Sequence, residues 1–177
     1  MKVLVRQGNS KNCIICGMEN ENGLKAPFYN MEDGSVASIF TFKDVHQSYP
    51  ERTHGGMISA LLDEVMGRVL WFNESELDYL DSFAVTTSMS VKFRKPVPYG
   101  VKLKARGYIV KSNSRGYTSR GEIFDMQNNL LAEAEATYLK ISPKLVAGNA
   151  HTMEEEMCYR FKKDIEEIDF PPIKERD

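Results

Sequence analysis

The sequence predicts an α+β fold in which one long buried helix is wrapped by a strongly curved antiparallel sheet. Three features carry that prediction. A segment opening on Gly55 and Gly56 is apolar at Met57, Ile58, Ala60, Leu61, Leu62, Val65 and Met66, and again from Val69 to Phe72. Those positions cover nearly the whole circumference of a helix, so it belongs inside the molecule and not on its surface. After it come three long segments of strand character joined by tight turns, an antiparallel meander. Ahead of it lies a shorter pair of strands with a turn between them.

Taken in order, residues 1–34 are rich in turn formers and read as an irregular leader. Within it residues 24–29 form a short strand, and Met31-Glu-Asp-Gly34 turns the chain into a second one at 35–43. Residues 44–53 are a polar connection punctuated by Pro50, and residues 73–81 are an acidic loop beyond the helix. Residues 83–93 alternate, with Ala84, Thr86, Ser88, Ser90 and Lys92 on one side and Val85, Thr87, Met89, Val91 and Phe93 on the other. Pro96, Pro98 and Gly100 mark the turn out. Residues 101–112 place Lys102, Lys104 and Arg106 opposite Val101, Leu103 and Ala105, and strands at 117–125 and 130–142 complete the meander. Beyond Pro143, Met153, Met157, Phe161, Ile165 and Ile168 recur at helical spacing among charges, which predicts an amphipathic helix over 151–168. The expected organisation is a domain over 1–142 with a helical extension over 143–177.

At 177 residues the chain suffices for one domain with a proper core. A hydrophobic share of 42% with 27% charged residues describes a soluble globular protein. The net charge of -2 and pI near 6.0 argue against nucleic acid as a partner. No apolar run reaches membrane-spanning length and residues 1–10 lack a signal-peptide core, so a cytoplasmic location with no membrane partner is expected. Cys13-Ile-Ile-Cys16 has the spacing of a metal half-site or a redox pair, but no second Cys-x-x-Cys or His pair follows. The pair therefore reads as reduced structural thiols and no metal is assigned, with metal binding as the minority alternative.

One polar stripe crosses the helix: Ser59, Asp63 and Gly67 follow at i, i+4 and share a face. A lone carboxylate on an apolar helix is costly to bury unless something solvates or uses it, which singles out Asp63. The competing reading is a satisfied structural carboxylate. Glu64 beside it pairs at i+4 with Arg68 and looks like an ordinary exposed pair.

These residues resemble a known family. His54-Gly-Gly56 with Asp63 nine residues after the histidine, Thr86 ten residues before Pro96, and the leader Cys13-Ile-Ile-Cys-Gly-Met-Glu-Asn-Glu-Asn-Gly-Leu24 are similar to hotdog-fold acyl-CoA thioesterases of the phenylacetate-pathway and thioesterase-superfamily-member type. The resemblance covers about residues 13–141. One branch of that family carries an asparagine where this chain has Ser48. The resemblance implies a hotdog fold, sites at the interface of a homodimer often paired again into a homotetramer, and an acyl-CoA substrate with no separate cofactor.

Thioester hydrolysis needs donors for the developing oxyanion and a base or nucleophile, but little help for a thiolate leaving group. Gly55 and Gly56 at a helix start offer backbone N–H groups and the positive end of the helix dipole. Asp63 would act as base towards water or as nucleophile, the Thr86 hydroxyl would hold the water, and His54 would orient the loop. Asp63 lies roughly 10–12 Å along the helix from the glycines, so a small carbonyl cannot touch both in one subunit. Two antiparallel helices across a two-fold axis would bring them together. Lys92, Arg94, Lys95, Arg115 and Arg120 are candidate cations for the coenzyme A tail, with solvated surface charge as the alternative. Met57, Met66, Trp71, Phe83 and Met89 are candidates for lining the acyl pocket, though such residues are more often core, and Ser48 and Ser59 are candidate substrate-binding residues. The rival readings are a hotdog enoyl or hydroxyacyl thioester hydratase and a non-catalytic acyl-CoA binder.

Overall fold

The computed structural model describes residues 1–73, 83–142, 156 and 158–173. In chain order the elements are β1 (Val3–Arg6), β2 (Tyr29–Met31), β3 (Val36–Phe40), β4 (Gln47–Tyr49), β5 (Arg52–Thr53), α1 (Gly55–Gly67), β6 (Phe83–Phe93), β7 (Leu103–Ser112), β8 (Gly116–Asp125) and β9 (Leu130–Ile141). Seven strands form one antiparallel sheet in the order β1-β2-β3-β7-β8-β9-β6, and β4 and β5 pair separately. The predicted α+β architecture is present, with α1 packed against β6 to β9.

The helix faces the sheet with Ile58, Leu61, Leu62, Val65 and Met66. They share a core with Leu103, Ile123, Ala132, Ala134 and Ala136. The apolar run past Gly67 does not extend the α-helix; residues Arg68–Asn73 tighten into a 3-10 turn. Contact between helix and sheet is close enough to involve backbone. A Cβ at Gly107 of β7 would stand 2.4 Å from the Val65 carbonyl oxygen, and one at Gly121 of β8 would stand 2.9 Å from Met66 Cγ. Only glycine fits beneath the helix at Gly107.

Four expectations are corrected. The leader is not wholly irregular: β1 pairs with β2, because Val3 alternates inward onto a second core with Tyr29, Met31, Ala37 and Phe124. The polar connection ahead of α1 folds into the β4–β5 hairpin. Glu64 and Arg68 are not a surface pair, since Arg68 is only 2% exposed. Its Nε donates to Glu64 Oε1 (2.8 Å) and its Nη1 to Gln7 Oε1 (3.1 Å) and the Gly8 carbonyl (3.0 Å), while its guanidinium lies over the Phe28 ring. The leader thus caps what the helix periodicity assigned to solvent.

The fourth correction concerns the appended helix. Residues 151–155 and 157 lie outside the described residues; residue 156 is helical, but residues 158–168 are not, and have only isolated bridges at Tyr159 and Glu167 with a bend at Glu166. They bridge to the leader through Asn9–Tyr159 and Lys2–Glu167. Ile168 and Phe170 enter the second core, on the sheet face opposite α1. This strap covers Lys104 and Arg106 of β7, each about 1% exposed: Lys104 Nζ donates to the Asp169 carbonyl, and Arg106 to the Pro171 carbonyl (2.8 Å) and Glu122 (2.6 Å). The predicted acidic loop at 73–81 falls, beyond Asn73, outside the described residues.

Gly107→Ala is expected to destabilise the fold by about 1–3 kcal/mol, the range for overpacking. Thermal denaturation should show a midpoint lowered by about 2–4 °C per kcal/mol.

Candidate active site

The site is built where α1, β6 and β9 meet. Thr86 of β6 and Tyr138 of β9 are register partners across the strands. Both hydroxyls point at the helix. Thr86 Oγ1 donates to Asp63 Oδ1 at 2.8 Å, and Tyr138 Oη lies 2.9 Å from the same oxygen and 3.0 Å from the Asp63 carbonyl. Asp63 is half-buried, and its Oδ2 has no protein partner among the described residues. One carboxylate oxygen is anchored and the other is presented.

Tyr138 is the member of this candidate site that the linear sequence did not reveal. It lies 75 residues from Asp63, in a strand whose alternation shows only that it points inward. Its ring stacks on Tyr117, centroids 4.8 Å apart, and Tyr117 Oη donates to the Gly67 carbonyl at 3.0 Å. Burial first, and the Asp63 carboxylate second, hold both phenols far above their usual range. Each therefore stays a proton donor, and Tyr138 Oη is held in hydrogen-bond contact with the Asp63 carboxylate.

A β-bulge between Thr86 and Ser88 makes this geometry possible. It inserts Thr87, which bonds the Thr137 carbonyl (2.9 Å), and it reverses the predicted faces beyond that point. Ala84 and Thr86 face the helix before the bulge, and Met89, Val91 and Phe93 after it, as their partners Ala136, Ala134 and Ala132 show. Lys92 is accordingly turned to the opposite face, where it lines a shallow site with Arg120, Glu133 and Glu135. Arg120 is held there by Glu135 (2.8 Å). These two candidate cations are not brought to the carboxylate.

The other expected groups gather at the helix start. The backbone of Thr53 and His54 is anchored to the Val97 and His46 carbonyls (both 2.8 Å). His54 is the N-cap, and its Nδ1 accepts the Gly56 N–H at 2.9 Å. Of the two N–H groups expected to be available, Gly56's is therefore taken, and Gly55's remains without a partner among the described residues. Gly55 lines a cleft of about 400 Å³ together with Arg52, Phe93, Arg94 and Lys95. Arg94 is tied to Glu133. Ser59 bonds back to the Gly55 carbonyl (2.9 Å), Met57 packs on the core edge, and Ser48 is exposed on β4. Arg115 lines a different cleft of about 290 Å³, with Tyr117, Thr137 and Tyr138, at the Asp63 end of the helix.

A single helix against a curved antiparallel meander, with a carboxylate presented from the helix, defines a hotdog domain. The model of the family described as the Thioesterase superfamily matches residues 52–132. Among individual proteins it is similar to "Acyl-coenzyme A thioesterase THEM4" of Xenopus laevis, with 24% identity over 117 residues, 66% of this chain and 50% of the relative. The chain thus spans half the length of that curated relative. Its fold is similar to a crystal structure of a thioesterase superfamily protein (TM-score 0.64, 23% identity, covering 72% of this chain and 59% of the other). It is also similar to the E. coli PaaI protein from the phenylacetic acid degradation operon (TM-score 0.59, 18% identity, covering 67% of this chain and 81% of the other).

His54→Ala should remove the helix cap and cost about 1 kcal/mol. Urea denaturation would show this as a lower midpoint with an unchanged slope.

Proposed function

We propose that the protein hydrolyses an acyl-CoA thioester to the free acid and CoA. The observation that carries this reading is the presentation of Asp63 by Thr86 and Tyr138, one oxygen fixed and the other open. Asp63 Oδ2 takes a proton from water, and the resulting hydroxide adds to the thioester carbon. The oxyanion so formed receives the Gly55 N–H at the positive end of α1. The C–S bond then breaks, and the departing thiolate takes the proton from Asp63. In this structure the Thr86 hydroxyl proton serves Asp63, so Thr86 positions the base, while its lone pairs remain able to accept from the water. His54 positions Gly55 and Gly56 by capping the helix.

The reading requires a second copy of the chain. Gly55 and Asp63 lie eight residues apart on one straight helix, about 12 Å at the standard rise. Supporting this, the cleft at Gly55 and the cleft at Tyr138 are separate within one chain. β6, an 11-residue strand exposed at its centre, is bonded only to β9 and leaves its other edge unpaired among the described residues. Two such edges side by side in antiparallel fashion bring Asp63 of one copy towards Gly55 of the other. Such a homodimer can pair again as a homotetramer. The CoA phosphates would meet Arg52, Arg94 and Lys95 beside Gly55, with Arg115 at the other cleft. No cofactor takes part. No helix among the described residues is long and apolar enough to cross a membrane.

The first test is release of free thiol from a panel of acyl-CoAs. Asp63→Asn should lower kcat/KM by several orders of magnitude, and Tyr138→Phe by about 10–100-fold through loss of positioning. Retained CoA-ester binding without thiol release in the wild type would instead make the chain a binder. In heavy-oxygen water, a general base puts the label into the acid during the first turnover, whereas an Asp63 anhydride opened by water at the Asp63 carbonyl puts it into Asp63.

Gly55→Pro offers a second test. Proline is tolerated at the first helical position, and His54 already has the extended backbone that must precede it (φ -63°, ψ 133°). The substitution removes one N–H and leaves the helix intact. Mixing Gly55→Pro chains with Asp63→Asn chains should restore about a quarter of wild-type activity, since half the dimers are mixed and each holds one intact site. No recovery on mixing would refute a shared site.

A further inference from the structure

The leader holds chemistry that the proposed hydrolysis does not use. Cys13, Cys16 and Glu64 bring two thiol sulfurs and a carboxylate oxygen within 4.8 Å of one another. All three cysteines of the chain are free thiols, and Cys158 is exposed and elsewhere. Glu64 divides its oxygens: Oε1 accepts from buried Arg68 at 2.8 Å, and Oε2 stands 3.9 Å from Cys13 Sγ. The Ile15 and Cys16 N–H groups both donate to Cys13 Sγ (3.3 and 3.4 Å). Ser10 Oγ lies 3.2 Å from Cys16 Sγ. The turn closes through the Gly17 N–H to the Cys13 carbonyl (2.8 Å), and a Cβ at Gly17 would meet that oxygen at 2.4 Å.

We propose that Cys13, Cys16 and Glu64 form a structural site for one divalent metal ion of the zinc type, which staples the leader to α1. Two thiolates and a carboxylate in one cluster suit a borderline-soft, tetrahedral ion better than the all-oxygen preference of calcium or magnesium. Zinc bonds of about 2.3 Å to sulfur and about 2.0 Å to oxygen put neighbouring ligand atoms about 3.5 Å apart. Closing the 3.9 Å separation of Cys13 Sγ and Glu64 Oε2 therefore takes only a few tenths of an ångström.

The charges balance as well. Replacing two thiol protons by one divalent cation leaves the pocket as neutral as before, with Glu64 still offset by Arg68. The groups behind the ligands are in place: backbone N–H on Cys13, the Ser10 hydroxyl by Cys16 and Arg68 on Glu64 each fix one donor. A fourth position falls to water or to Ser10 Oγ. Cys-x-x-Cys alone supplies two ligands; the third comes from the helix, 51 residues downstream of Cys13.

The test is cobalt(II) and zinc(II) titration of the reduced 177-residue chain, stripped of metal. One equivalent of cobalt should give the near-ultraviolet sulfur-to-cobalt charge-transfer absorption, and zinc should displace it and raise the thermal midpoint. Cys13→Ser and Cys16→Ser should abolish the band, Cys158→Ser should keep it, and Ser10→Ala should weaken binding by about 10–100-fold. Absence of the band in the wild-type chain, or its loss in Cys158→Ser alone, overturns the proposal. If either cysteine variant fails to fold, the wild-type and Cys158→Ser spectra still decide, because only thiolate ligation produces that band. None of these readings depends on thioesterase activity.

Discussion

The closeness of α1 to the sheet governs the rest of the molecule. At Gly107 the Val65 carbonyl and the β7 backbone leave no room for even one carbon, and at Gly121 the side chains of Met66 and Leu62 close on the strand. A helix lodged this tightly can neither roll nor slide without clashing. Its rotation in turn sends Asp63 to the flank where β6 and β9 run, not into the aliphatic core. Asp63 then finds Thr86 and Tyr138 because those two are opposite one another in the sheet. Packing by glycine and positioning of the carboxylate are one constraint seen from two sides.

Buried cations tie both ends of the chain to this centre. Arg68 draws Gln7 and Gly8 against the end of α1, while Lys104 and Arg106 draw Asp169 and Pro171 across the far face of the sheet. A cation inside a protein is costly to bury unless it finds partners, so the groups that each one does bond specify where the neighbouring chain must pass. Carbonyl oxygens supply much of that pairing, which is why the partner segments show no charge pattern of their own. The two termini are also knit together, Val3 N–H donating to the Glu166 carbonyl at 2.8 Å. Through Arg68 and Glu64, the leader is joined to the residue next to Asp63.

Under the proposed reading, a rigid helix separates donor from base by its own length. That separation turns dimer formation into a catalytic requirement: the helix start provides a fixed dipole and one open N–H, and the carboxylate comes from another copy. His54 illustrates the economy at the helix start. By accepting the Gly56 N–H it holds the turn in place, and Gly55 alone faces the cleft.

Much of this was legible in the sequence, because some properties are local. The apolar circumference of residues 57–66 determined a buried helix, and alternation with turn residues determined the meander. Asp63 stood out because an ionised group on such a helix needs a reason. His54-Gly-Gly56 and Asp63 lie within one helix and its cap, so their spacing alone placed them. What the sequence could not hold is anything set by contact between distant segments. Tyr138, the bulge at Thr87 and the third candidate metal ligand Glu64 depend on strand register or on the leader lying against α1. The residues predicted as a C-terminal helix have apolar positions that suit either an amphipathic helix or a non-helical strap, and at 158–168 the strap prevails, as bridges to the leader and the pocket for Ile168 and Phe170 select it. Periodicity determines what a segment can bury; tertiary structure decides what it is buried against.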